Sequence, residues 1–140
     1  MSQTQFLVDT SALVRLLRQA AVQADWAPQI TAGLVATCAI TELELLYTAR
    51  SKADREELSA LIRETLSWVV MPDRVFERAL DVQSALTDRG SHRSASPADL
   101  LLAATAEEHG LIVLHYDADL AEVAEVTGQP VRWPADRGTD

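Results

Sequence analysis

The fold is decided by residues 96–117, which read SPADLLLAATAEEHGLIVLHYD. Ser96 is followed at once by a proline and three residues later by Asp99. This spacing predicts a helix start, because the serine caps the first turn and the acid bonds back to it. The helix is apolar on nearly every side, which is typical of a buried helix, and Gly110 ends it. The apolar run that follows predicts a buried strand at residues 111–115.

Helices and strands alternate along the rest of the chain. Apolar runs predict strands at residues 5–9, 35–37, 68–71 and 130–133, and helical spacing predicts helices at residues 11–20, 25–33, 41–50, 53–66, 73–88 and 119–127. In the helix 73–88, the spacing places Phe76, Ala79, Leu80 and Leu86 inward. Such alternation indicates an α/β domain whose parallel sheet is covered by helices on both faces.

Composition favours one folded domain. The chain has 140 residues, of which 48% are hydrophobic, and we expect residues 1–134 to form one domain and residues 135–140 a mobile tail. Cys38 is the single cysteine, which excludes an internal disulfide, and its apolar neighbours predict a buried thiol. No apolar stretch reaches transmembrane length and the N-terminus lacks the pattern of a signal peptide, so we expect a cytoplasmic protein with no membrane contact.

The net charge of −9 argues against simple nonspecific binding of nucleic acid. That argument is weakened where several acids form one site, since each divalent ion would offset two of them. Six arginines and one histidine could still contact phosphates: Arg15, Arg18, Arg50, Arg55, Arg89, Arg93 and His92. For any single one of them, a solvated helix face is the simpler interpretation.

Five carboxylates lie where an α/β chain brings its strand ends together: Asp9, Glu44, Asp99, Asp117 and Asp119. Asp9 closes the first apolar run and Asp117 follows a later one, whereas Glu44 and Asp99 lie early in helices. Functional groups of open parallel sheets collect just beyond the carboxyl ends of the strands, and like charges crowded there repel unless they share a cation. Because oxygen ligands suit Mg²⁺ or Mn²⁺, the pattern predicts a hard-metal site.

Each of these acids also has an ordinary structural explanation. Asp9 precedes a predicted helix and can be its N-cap, and Asp99 complements the dipole in the first turn of its helix. Asp117 and Asp119 can be turn and cap residues. The two hydroxyl residues after Asp9 can likewise cap the helix or hold a metal-bound water. The hypothesis of a metal site therefore depends on the combination of acids.

The predicted helix 41–50 carries two candidate acids, Glu42 and Glu44. Two residues apart on a helix, they point to different faces, and both border apolar surface. Periodicity alone leaves the choice between them open.

Four short segments occur in a familiar order along nearly the whole chain. They are Phe6-Leu7-Val8-Asp9-Thr10-Ser11-Ala12-Leu13, Thr41-Glu42-Leu43-Glu44-Leu45-Leu46-Tyr47, Ala98-Asp99-Leu100-Leu101-Leu102-Ala103-Ala104-Thr105-Ala106 and Leu114-His115-Tyr116-Asp117-Ala118-Asp119-Leu120. In this order the chain resembles the PIN-domain ribonucleases, in particular the VapC-type toxins of bacterial type II toxin–antitoxin pairs. The ending, residues 126–133, is similar to one branch of these toxins.

The resemblance implies that four acids are catalytic and bind the metal, namely Asp9, Glu44, Asp99 and Asp117. Asp119 matches a second, more variable acid that would also bind metal. Glu44 rather than Glu42 is implied, because the family's glutamate is followed by Leu-x-Tyr or similar. His115 departs from the family, in which many relatives have threonine, and we expect it to pack or to support the site.

The resemblance further implies a PIN-like three-layer α/β/α domain with a short central parallel sheet. The implied activity is a Mg²⁺-dependent endoribonuclease, with Mn²⁺ as a substitute, that cleaves structured cellular RNA such as transfer or ribosomal RNA. The implied partners are a VapB-type antitoxin, the RNA substrate and a second copy of the chain in a homodimer.

Two other functions fit part of this pattern. A Mg²⁺-dependent phosphotransferase or phosphatase also places acids at strand ends, but it needs a lysine beyond a late strand. Lys52, the single lysine, lies between two predicted helices, and Asp9 lacks a second aspartate two residues later. A catalytically silent binding protein with a PIN-like fold is the other alternative, and the complete set of acids argues against it.

Overall fold

The computed structural model describes residues 4–116 and 118–133, apart from the side chain of residue 119. Within these residues the elements, in chain order, are β1 Phe6–Val8, α1 Thr10–Arg18, α2 Ala20–Thr31, β2 Val35–Thr37, α3 Ala39–Tyr47, α4 Lys52–Thr65, β3 Ser67–Trp68, α5 Arg74–Asp88, α6 Pro97–His109, β4 Ile112–Leu114, α7 Ala118–Thr127 and β5 Val131–Arg132. None of the helices in this part of the chain has the length and apolar character needed to cross a membrane.

β1 is the central strand of a parallel sheet whose order, in the described residues, is β3-β2-β1-β4-β5. The chain builds outward from β1 to β2 and β3, and then crosses back to add β4 and β5 on the other side. In sheets of this kind, a crevice opens at the carboxyl ends of the strands where the strand order reverses. Asp9 directly follows β1 and therefore lies at this point.

The side chains of β1 divide between two hydrophobic cores. Leu7 belongs to a cluster closed mainly by α5, α6 and α7, whereas Phe6 and Val8 belong to a cluster closed by α1, α2, α3 and α4. This division follows from the two-residue repeat of a strand. The expected three-layer α/β/α domain with a short central parallel sheet is confirmed.

α6 starts and ends as its sequence predicts. The Asp99 backbone N–H donates to Ser96 Oγ at 3.1 Å, and the Ser96 N–H donates to Asp99 Oδ2 at 3.2 Å. Gly110, at φ 67°, ends the helix in the left-handed conformation. The helix is buried, as expected, through Leu100, Leu102, Ala103, Ala104, Thr105 and Ala106.

Cys38 is fully buried and its thiol is free, as its apolar neighbours predicted. Burial raises the pKa of the Cys38 thiol above its ordinary value, because the thiolate is disfavoured away from water. The thiol is therefore a packing group rather than a nucleophile.

The second helix is longer than predicted. α2 begins at Ala20 rather than at residue 25, and Pro28 lies in its second half. Residues 20–24 are mostly good helix formers, which is why the helix begins earlier than predicted. The extended conformation of Gln19 (φ −106°, ψ 109°) is what separates α2 from α1.

The inward face of α5 was predicted partly wrongly. Ala79 and Leu86 are buried as expected, but Phe76 and Leu80 are exposed. The buried stripe of α5 is instead Val75, Ala79, Val82 and Leu86. The prediction favoured the large side chains, whereas two smaller valines face inward. On the same helix, Arg78 Nε pairs with Glu107 Oε1 of α6 at 2.6 Å.

Candidate functional site

A cleft of about 430 Å³ opens at the carboxyl end of β1. Three of the five predicted acids line it, each from a different part of the chain. The residues that line this acidic cleft are Asp9, Thr10, Ser11, Glu44, Arg93, Ser94, Ser96 and Asp99. The fold thus brings together side chains that lie up to 90 positions apart in the sequence.

Asp9 is the most buried acid of the cleft, with 3% of its surface exposed. It caps α1, accepting the Ala12 backbone N–H on Oδ1 at 2.8 Å, and Ser11 Oγ donates to the same oxygen at 2.7 Å. Ser11 Oγ in turn accepts the backbone N–H of Tyr116 at 2.9 Å. One hydroxyl therefore ties the end of β1 to the chain that follows β4, and it fixes the orientation of the Asp9 carboxylate.

Glu44 reaches the cleft from α3. Thr10 Oγ1 donates to Glu44 Oε1 at 2.7 Å, so the threonine directly after Asp9 orients this second acid. Glu42 does not line the acidic cleft and lines a different pocket instead. The geometry therefore agrees with the choice of Glu44 that the resemblance implied and that periodicity could not make.

Asp99 reaches the cleft from the first turn of α6. Its Oδ2 accepts the Ser96 backbone N–H in the capping box, so the structural explanation of this acid is confirmed. Asp9 is likewise both a helix cap and a cleft residue. The structural and functional interpretations of these acids are compatible, because a cap fixes the carboxylate that the cleft presents.

Two predicted site residues cannot be placed. Asp117 lies outside the described residues, and so does the side chain of Asp119, so both assignments stay predictions. The predicted mobile tail, residues 135–140, is also outside the described part of the chain. Tyr116 is described, and its backbone N–H donates to Ser11, the serine that holds Asp9.

The donor atoms of the cleft suit a hard divalent cation. Among residues 4–116 and 118–133, with the side chain of residue 119 excepted, no three acids, histidines or cysteines lie close enough to enclose a metal ion. Mg²⁺, however, usually keeps several waters and binds through one or two carboxylates. Carboxylate oxygens from Asp9, Glu44 and Asp99, beside the hydroxyls of the cleft, therefore fit Mg²⁺ or Mn²⁺ by their chemistry.

Besides Ser94, Arg93 is the cleft residue that the sequence did not single out. It was one of six candidate arginines, and nothing in the local pattern distinguished it. In the fold, Arg89 pairs with Glu125 at 2.9 Å, while the loop before α6 places Arg93 on the acidic cleft. Its position six residues before Asp99, a predicted site residue, was the one feature of the sequence that could have indicated its place in the cleft.

His115 is buried directly after β4 and packs on Trp133, with ring centroids 5.0 Å apart. Trp133 also contacts Tyr116 edge to face, with centroids 5.7 Å apart. Packing, one of the two roles expected for His115, is thus observed.

Comparison with known proteins gives consistent similarities. The PIN domain family model matches residues 6–126. Ribonuclease VapC21 of Mycobacterium tuberculosis (strain ATCC 25618 / H37Rv) is 44% identical over 136 residues, covering 97% of this chain and 98% of that protein. Ribonuclease VapC51 of the same strain is 42% identical over 135 residues, covering 96% of each protein.

Solved structures share the fold. VapBC from Salmonella typhimurium, in a crystal structure with bound DNA, superposes with a TM-score of 0.75 at 17% identity and covers 95% of this chain and 100% of its own. VapBC2 from Rickettsia felis, bound to a promoter DNA fragment, gives a TM-score of 0.76 at 13% identity, with coverages of 92% and 98%. At such low identity the likeness shows the fold alone.

Proposed function

Since the chain belongs to the PIN-domain family, and within it to the VapC-type proteins, we propose that it is a metal-dependent endoribonuclease and the toxin of a type II toxin–antitoxin pair. The observation that carries this proposal is the meeting of Asp9, Glu44 and Asp99 in one cleft at the carboxyl end of β1. Asp117, and the more variable Asp119, would complete the metal-binding set. The preferred ion is Mg²⁺, with Mn²⁺ as a substitute.

The residues of the cleft would have different roles in phosphodiester hydrolysis. A divalent cation bound there would supply positive charge at the scissile phosphate and lower the pKa of a bound water. Asp9 and Asp99 are held by backbone N–H groups, which fix the carboxylates that would bind the cation. Thr10 orients Glu44 beside them. The Arg93 guanidinium would hold a phosphate of the RNA backbone, for which its planar fork is suited.

The proposed substrate is structured cellular RNA, such as a transfer or ribosomal RNA loop. The proposed protein partners are a VapB-type antitoxin and a second copy of this chain. Support for the antitoxin comes from the shared fold, since similar solved structures include VapBC from two bacteria and a Mycobacterium tuberculosis member of the VapBC family of toxin-antitoxin systems. Exposed Phe76 and Leu80 on α5 are consistent with a protein partner of either kind.

Cleavage of RNA by matched variants tests the proposal. Purified wild-type protein should cleave a folded RNA pool in Mg²⁺ and lose activity with a chelator. Asp9→Asn should lose cleavage by at least about a hundredfold, because it removes a charge from the metal site. Asp88→Asn makes the same chemical change on the exposed end of α5 and should cleave as the wild type does.

Two results would overturn the proposal. RNA binding without cleavage by the wild type would favour the silent binding protein. Hydrolysis of a phosphomonoester such as p-nitrophenyl phosphate, with no cleavage of RNA, would favour the phosphatase.

A further inference from the structure

A second pocket lies on the other side of α3 from the acidic cleft, and the proposed cleavage reaction does not use it. Its volume is about 370 Å³, which falls within the roughly 300–1,000 Å³ of ordinary ligand sites. We name it the Trp68 pocket, and the residues that line it are Thr37, Glu42, Ile62, Arg63, Leu66 and Trp68.

The Trp68 pocket opens at the same edge of the sheet as the acidic cleft. Thr37 ends β2 and Trp68 ends β3, and the two are direct partners in the parallel register, so their side chains share a face of the sheet. β2 is also the neighbour of β1, which Asp9 follows. Glu42 and Glu44 are separated by about 200° around α3. One faces the Trp68 pocket and the other faces the acidic cleft.

A buried hydroxyl without a hydrogen bond lines the Trp68 pocket. Thr37 is 1% exposed, and its Oγ1 has no partner among the residues that the structure describes. Two other buried threonines are satisfied, since Thr41 Oγ1 donates to the Val8 carbonyl and Thr105 Oγ1 to the Leu101 carbonyl. Buried polar groups are normally bonded. Because Thr37 also lines the pocket, a ligand bound there is one candidate for the missing partner.

The other groups of the Trp68 pocket suit a flat ring with polar edges. Trp68 is 53% exposed, which leaves indole surface on which a base can stack. Ile62 and Leu66 give the pocket apolar surface. Glu42 offers two acceptor oxygens for N–H groups, and Arg63 can bind a neighbouring phosphate. Stacking surface, acceptor oxygens and a cation are the groups with which proteins hold unstacked RNA bases.

We propose that the Trp68 pocket holds one unstacked base of the RNA substrate close to the cleavage site, and that guanine is the preferred base. This inference rests on the proposed ribonuclease function. Guanine carries two adjacent donors, N1–H and N2–H, which match the two oxygens of Glu42. Adenine and cytosine place a ring acceptor beside their amino group, and uracil flanks its single N–H with carbonyls. The Thr37 hydroxyl can donate to an acceptor on the base.

Sequencing the ends of a cleaved random RNA pool tests this preference. Wild-type protein should enrich guanine at one fixed position relative to the cut. Glu42→Gln should lose about tenfold of that enrichment, because an amide offers one acceptor instead of two. Glu56→Gln makes the same change on the exposed surface of α4 and should keep the wild-type preference. An unchanged preference in Glu42→Gln would overturn the proposal.

Substitution of the tryptophan separates base binding from folding. Trp68→Ala should raise KM for a guanine-containing oligonucleotide about tenfold and leave kcat unchanged, since stacking contributes to binding. Its melting temperature without RNA should stay near that of the wild type, because the side chain is half exposed. If Trp68→Ala keeps the base preference and instead weakens association with a co-expressed antitoxin, the pocket is a protein-docking site and the proposal is wrong.

A binding measurement distinguishes failure of this proposal from failure of the ribonuclease function. The Asp9→Asn protein is titrated with two 2′-O-methyl RNA pentamers, UUGUU and UUUUU. We expect the guanine pentamer to bind about tenfold more tightly, and Glu42→Gln added to Asp9→Asn should abolish the difference. If the wild-type protein fails to cleave any RNA, the ribonuclease function is overturned, but the affinities for the two pentamers still test the pocket proposal. Equal affinities would overturn the pocket proposal alone.

Discussion

At the scale of single residues, the acids of the cleft serve the fold and the site through the same bonds. Asp9 caps α1 through Ala12 and is held by Ser11. An asparagine keeps the oxygen that makes these bonds but loses the charge. Substitution by asparagine therefore separates the structural contribution of an acid from its contribution to metal binding.

We expect Asp9→Asn to keep most of its stability in metal-free buffer and to lose its response to Mg²⁺. Asparagine is as good an N-cap as aspartate, so the free energy of unfolding should change by less than about 1 kcal/mol. Mg²⁺ binds the folded state and should raise the melting temperature of the wild type and of Asp88→Asn by a few degrees. Equal Mg²⁺ shifts in Asp9→Asn and wild type, measured by scanning calorimetry, would remove Asp9 from the metal site.

A second prediction at this scale concerns the unpaired hydroxyl of Thr37. Thr37→Val should stabilise the protein by about 1 kcal/mol, because it removes a buried hydroxyl that has lost its water. Thr105→Val is the matched control, since it breaks the bond to the Leu101 carbonyl and should not stabilise. Urea unfolding without RNA measures both. Destabilisation by Thr37→Val would mean that its hydroxyl makes a favourable contact in the free protein.

At the scale of elements, local signals were enough for some helices and not for others. The start of α6 could be predicted because Ser96 and Asp99 are three residues apart and bond to each other. The inward face of α5 could not, because it depends on α6, which begins more than 20 residues after Arg74. Side-chain size then favoured Leu80, which is exposed.

A matched pair of leucines on α5 checks this correction. Leu86 is fully buried and Leu80 is 66% exposed. Leu86→Ala should therefore lower the free energy of unfolding by about 2–5 kcal/mol, as for other buried leucines. Leu80→Ala should change it by no more than about 0.5 kcal/mol. Equal losses in urea unfolding would mean that Leu80 is covered in solution.

At the scale of the whole molecule, strand order determines which residues meet. The acids could be proposed from the sequence, because apolar runs locate the ends of strands. The neighbours of β1 could not be derived from periodicity, since pairing with β2 and β4 joins distant segments. For the same reason, the Trp68 pocket was not predicted. It depends on the register between Thr37 and Trp68, which are separated by a complete βαβ connection with two helices.

The charge of the whole chain leads to a prediction about salt. The chain has a net charge of −9, and of its twelve lysine and arginine residues two are proposed here to contact phosphates. If Arg93 and Arg63 are the main phosphate contacts, log Kd for a single-stranded RNA should change with log salt by a slope of about 1.4. In an Asp9→Asn background, Arg93→Gln should reduce that slope by about 0.7, whereas Arg55→Gln on the exposed start of α4 should not. A slope that Arg93→Gln leaves unchanged would exclude this phosphate contact.

α3 carries Glu44 on one side and Glu42 on the other, within one rigid nine-residue helix. Under the proposed function and the proposed base pocket, the helix fixes the distance between the bond that is cut and the base that is recognised. A substitution at position 42 would change which base is bound, and the distance from that base to the cleavage site would stay constant. An alanine inserted between the two glutamates would rotate one relative to the other by about 100° around the helix axis. The fixed spacing between the recognised base and the cleavage site would then be lost. Relatives that differ at position 42 would prefer different bases, and the distance between the recognised base and the cleavage site would be the same in all of them.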